Sequence, residues 1–84
     1  MQNNAISFAV LQRVLERLGF VRKAVDGPQV VLEHAPSHTV FLFRAYRPRD
    51  PVTAADLIEV RKILDERGFI EAPALEELLH ESCP

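Results

Sequence analysis

The 84-residue chain has a single cysteine, Cys83, one residue from its end. An internal disulfide is excluded, and the composition fits a reducing compartment such as the cytoplasm. No stretch approaches the ~20 apolar residues of a membrane-spanning helix, so no membrane contact is expected. Met1-Gln2-Asn3-Asn4 carries no basic residue and no apolar run follows, so no signal peptide is expected. Long linkers, low-complexity tracts and blocks of like charge are missing. Nothing in the residues calls for a cofactor. His34 with His38, and His80 with Cys83, are partial ligand pairs that lack a third member, so no metal site is expected. No pair of aromatics is evidently placed to stack single-stranded bases.

What remains is a clear order of elements. One domain over 1–84 is expected, burying roughly 60–65% of the surface of its unfolded form. Its core is expected over about 7–70, followed by a short C-terminal helix over about 73–80. Ser7 is suited to cap a helix in which Phe8, Leu11, Val14, Leu15 and Leu18 recur on one side. Gly19 stops that helix, and Phe20 folds back onto its last turn. A second helix carries Leu57, Val60 and Leu64, with Ile58 and Ile63 beside them, and ends at Gly68-Phe69. Thr53 and Asp56 resemble a capping box at its start. Pro73 opens the third helix, which carries Leu75, Leu78 and Leu79.

Between the two long helices lie three strand-like runs: Phe20–Val25, Gln29–His34 and Thr39–Tyr46. Asp26-Gly27 predicts a tight turn with positive φ at both central positions. In the second run Val30 and Leu32 face one way, and Gln29, Val31 and Glu33 the other. The third is apolar on both sides, Val40 and Leu42 opposing Phe41 and Phe43. In a meander it lies at an edge, where an apolar strand invites pairing with another chain unless the C-terminal segment covers it. Phe41 and Phe43 are its core or interface residues. The expected fold class is α+β: α-β-β-β-α, a three-stranded antiparallel sheet with helices on one face and a short C-terminal helix.

Charge is uneven. Residues 1–49 hold seven Arg or Lys against three acids, and residues 50–84 hold three against nine. Either each half is simply solvated, or the first half offers a face to a polyanion. Arg22, Lys23, Arg44, Arg47 and Arg49 are the cations that converging strands could direct at phosphates.

Leu15 to Lys23, the turn at Asp26-Gly27, and Asp56-Leu57 through Ile63-Leu64-Asp65-Glu66-Arg67-Gly68-Phe69 resemble the HicA toxin family over most of residues 8–79. The resemblance implies a small fold like that of double-stranded-RNA-binding domains. It also implies an mRNA interferase activity held in check by an antitoxin, HicB. In that family a Gly-Ser-His motif begins the second strand and its histidine cleaves RNA. Imidazole suits that task because it moves protons near neutral pH. The matching residues here are Gly27-Pro28-Gln29. Gln29 has no titratable proton; His34 ends the second strand and His38 lies in the next turn, both at the far end of the hairpin.

Three readings follow. The chain is a catalytically inactive relative that binds RNA or a HicB-like protein, or a ribonuclease with a non-standard site involving His34 or His38. Alternatively it is a self-associating domain that dimerises through its third strand.

Overall fold

The computed structural model describes residues 6–81. Helix α1 spans Phe8–Arg17, strands β1, β2 and β3 span Val21–Lys23, Val30–His34 and Thr39–Phe43, and helices α2 and α3 span Ala54–Glu66 and Ala72–Glu81. The sheet is antiparallel in the order β1-β2-β3, so β2 is central and β3 is an edge. The fold is the α+β arrangement expected, with a C-terminal helix slightly longer than 73–80.

The two long helices stop by the same device. In α1 the Gly19 N–H donates to the Glu16 carbonyl and the Phe20 N–H to the Leu15 carbonyl, both at 3.0 Å. In α2 the Gly68 N–H donates to Asp65 at 3.1 Å and the Phe69 N–H to Leu64 at 2.9 Å. This pair of bonds is the Schellman motif, which needs a left-handed residue after the cap. Gly19 and Gly68 supply it with φ of 100° and 76°. Each terminal phenylalanine is thereby folded under its own helix. The two rings then meet, Phe20 and Phe69 lying 5.2 Å apart.

The core fills the space between the helices and one face of the sheet. Val30 and Leu32 of β2, and Phe41 and Phe43 of β3, point into it. They meet Phe8, Leu11, Val14 and Leu15 of α1, and Val60 and Leu64 of α2. Helix α3 adds Leu75 and Leu79 to the same core and packs against α1 and α2. Val10, Ile6 and Val52 extend it at the α1 end.

Several local expectations change. β1 is three residues long, because Ala24 to Gln29 form an open, exposed loop rather than a tight turn. Within that loop Gly27 is the residue with positive φ and Asp26 is not, so the two-residue hairpin geometry is not met. β3 ends at Phe43, before Arg44 and the loop that leads to Tyr46. Ile58 lies outside the buried stripe of α2, 61% exposed.

Candidate functional site

Both long helices run in the same direction over the sheet, which gives the molecule two distinct ends. At one end Phe8, which opens α1, packs edge-on against Phe43 at 5.4 Å, and Asp56 in the first turn of α2 bonds Tyr46. At the other, Gly19 lies against His34, and Arg67 after α2 donates to the Ser37 carbonyl at 3.3 Å. The helix N-termini therefore share an end with Lys23, Gln29 and Arg44. The helix C-termini share the other with His34 and His38.

At the N-terminal end, Gln29 is exposed just before β2, with its side chain folded toward Gly27. His34, the last residue of β2, lies five residues further along, roughly 16 Å away in extended chain. The anion-binding capacity of the α1 start is already used. Its first amides, Phe8 and Ala9, donate to the carbonyls of Asp50 and Pro48 at 2.8 and 2.9 Å, and Val10 donates to the Ser7 hydroxyl at 3.3 Å. The loop from Arg47 to Val52 is thereby pinned along the segment that leads into α1.

The start of α2 is closed in a way the sequence did not announce. Thr53 Oγ1 accepts from the Asp56 N–H at 3.2 Å, the first half of a capping box. The reciprocal half runs through Tyr46. Its hydroxyl accepts from the Thr53 N–H at 3.0 Å and donates to Asp56 Oδ2 at 2.6 Å. Asp is one methylene shorter than the usual Glu, and the phenol bridges the difference.

The five candidate cations do not converge on one surface. Arg22 and Lys23 are neighbours on a strand and so point to opposite faces. Arg22 Nη1 donates to Gln12 Oε1 of α1 at 3.4 Å, on the helix side. Lys23 Nζ lies 3.6 Å from Glu33 Oε1 on the other face. The Arg44 guanidinium sits 5.8 Å from the Tyr46 ring centroid, and Arg47 and Arg49 are exposed in the pinned loop.

At the opposite end His34 is wedged between aromatic rings, 5.6 Å from Phe20 and edge-on to Phe69 at 4.8 Å. Its Nδ1 shares a 2.7 Å hydrogen bond with the Ser37 hydroxyl, which shares another of 2.7 Å with Thr39. Thr39 is buried. The chain of three orients the β2–β3 turn, in which His38 takes a left-handed conformation with φ 57°. The cluster has a turn-locking geometry, in which the half-buried imidazole is held by Ser37. Among the described residues no group of three or more His, Cys, Asp or Glu is arranged to hold a metal, and Cys83 lies outside them.

The solvent-facing side of the sheet is the least expected surface. Directly paired residues of an antiparallel sheet share a face. The register Val21–Glu33–Val40 and Lys23–Val31–Leu42 puts four apolar residues and one ion pair on the side away from the helices. Val21, Val40 and Leu42 are 59%, 52% and 70% exposed. Of the two roles expected for Phe41 and Phe43, core or interface, the structure gives them the core, each only 4% exposed. They share the helix-facing side of β3, and Val40 and Leu42 face solvent. Strict alternation in β3 carried that signal; the contributions of Val21 and Val31 needed the register. Among the described residues no strand pairs with the outer edge of β3, and α3 lies on the helices instead of covering it. No helix of the described residues is long and apolar enough to cross a membrane.

No protein-family model, curated protein or solved structure matches the chain.

Proposed function

We propose that this chain is a non-catalytic, HicA-like module of the cytoplasm that binds another protein through the solvent-facing side of its sheet. The observation that carries this reading is the cluster of Val21, Val31, Val40 and Leu42 beside the unpaired edge of β3. Contiguous exposed apolar surface is uncommon on a monomer and marks interaction sites. Gln29 in the position of the family's histidine supports the absence of nuclease chemistry. His34 supports it too, since its Nδ1 is engaged by Ser37 and its ring is packed on Phe20 and Phe69. The partner class implied by the resemblance is a HicB-like antitoxin.

A second reading rests on a different observation. Arg44, Arg47 and Arg49 lie at the end where both helices begin. Phosphate contact by these three arginines would give RNA binding that weakens steeply with salt.

One set of experiments separates the readings. The product of the adjacent reading frame is mixed with the purified chain and analysed by size-exclusion chromatography and calorimetry. The expected result is a stoichiometric complex that is lost in Leu42→Asp, with RNA left intact. RNA cleavage abolished by His34→Ala would overturn the proposal. So would salt-sensitive RNA binding that survives Leu42→Asp but disappears when the three arginines are replaced.

A further inference from the structure

The two edges of the sheet are built differently. β1 is three residues long and carries Arg22 and Lys23, the short, charged build by which edge strands resist unwanted pairing. β3 has five residues, Thr39-Val40-Phe41-Leu42-Phe43, without a charge, a proline or a glycine. Alternate residues of such a strand direct their N–H and C=O groups outward, ready for another ladder. Beside this edge runs a groove of about 190 Å³ between β3 and α2. Val60 lies at its base, and Asp56 and Glu59 of α2 form its wall.

From the protein-binding reading, on which this step rests, we infer that the β3 edge accepts an extended segment of a partner protein as a fourth strand. The residues flanking that segment are basic. Strand addition supplies main-chain hydrogen bonds for affinity, and side chains facing alternate sides supply specificity. On the outer side the added strand extends the Val40–Leu42 surface. On the helix side it meets the carboxylate wall, where lysine or arginine is favoured. A second copy is a poor occupant, because the antiparallel two-fold pairing of β3 with itself places the flanking Arg44 of each copy at the His38 end of its mate, away from Asp56. Nucleic acid is disfavoured by the same wall, whose charge repels phosphate.

The test uses the full chain, isotope-labelled, titrated with a short synthetic peptide of alternating valine and threonine flanked by lysines. Amide shifts and slowed hydrogen exchange are expected at Thr39–Phe43. A glutamate-flanked version should bind about fivefold more weakly, the scale of exposed charge pairs. The lysine peptide methylated on alternate backbone nitrogens should lose binding, since it cannot form the ladder. Glu59→Lys should reverse the preference between the two flanks. Unperturbed β3 amides, equal binding of both peptides, or binding that survives backbone methylation would each overturn the inference. Sedimentation showing a dimer broken by the lysine peptide would also overturn it, by making a second copy the occupant. If the peptide arms fail while Leu42→Asp still abolishes the complex with the neighbouring gene's product, the sheet-face reading stands and the edge assignment alone falls.

Discussion

Replacing Tyr46 with phenylalanine removes one oxygen and its short hydrogen bonds to Thr53 N–H and Asp56, along with a long 3.4 Å contact to Thr53 Oγ1, and the structure lets the cost be worked out. The ring itself stays, stacked on Phe8 at a centroid distance of 5.0 Å, so little apolar contact is lost. What disappears is the acceptor for the Thr53 N–H and the donor to Asp56. A hydrogen bond to a carboxylate contributes about 1.5–3 kcal/mol and a neutral one about 1 kcal/mol. Tyr46, Thr53 and Asp56 are all half-buried, so water takes up part of the deficit. The net loss should be about 2 kcal/mol. For a domain of this size that lowers the melting temperature by about 8–16 °C. Urea unfolding followed by far-ultraviolet circular dichroism would measure it, as a shift in midpoint at constant slope. Because one hydroxyl serves both partners, Tyr46→Phe and Asp56→Ala should be non-additive, with a coupling of about 1 kcal/mol. A loss below about 0.5 kcal/mol, within the range of neutral surface changes, or strictly additive effects would refute the relay through Tyr46.

Gly68→Ala should cost about 1–2 kcal/mol, the strain of a left-handed alanine, because an added Cβ meets nothing within 4 Å. Gly19→Ala should cost more in the same denaturation assay. Its Cβ would fall 3.1 Å from Cδ2 of His34, whose ring cannot retreat between Phe20 and Phe69; equal losses would show that this contact is immaterial. Phe41→Ala should destabilise by about 3–5 kcal/mol. Leu42→Lys, one residue along, should stay within about 0.5 kcal/mol, and comparable losses at the two positions would contradict the facing of β3.

Much of the fold was legible because local signals and tertiary packing agree. Ser7 caps α1, and both Gly-Phe pairs end helices in the manner their residues suggest. The alternation in β3 was also legible, though which side faced the core was not. Val40 and Leu42 are as apolar as the phenylalanines they alternate with, so only the position of the helices decides. Ile58 misled for a related reason: its apolar character says nothing about its neighbours, and it projects to solvent. The strand pairing of Arg22 and Lys23 separates two cations that adjacency in sequence had grouped. The Tyr46 bridge was beyond local reading, since it joins residues seven and ten positions apart through a loop whose path is set by α1.

The meeting of Phe20 and Phe69 makes the length of each helix a fixed quantity. One residue inserted into α1 or α2 turns everything after it by about 100° and advances it by about 1.5 Å. The phenylalanine at that helix's end would then swing away from its counterpart and from His34. The exposed Ala24–Gln29 loop has no such constraint, and doubling it would cost only about 0.6 kcal/mol in closure entropy. Insertions and deletions among natural variants of this chain should therefore collect between β1 and β2, leaving the spacing from Ser7 to Phe20 and from Thr53 to Phe69 unchanged.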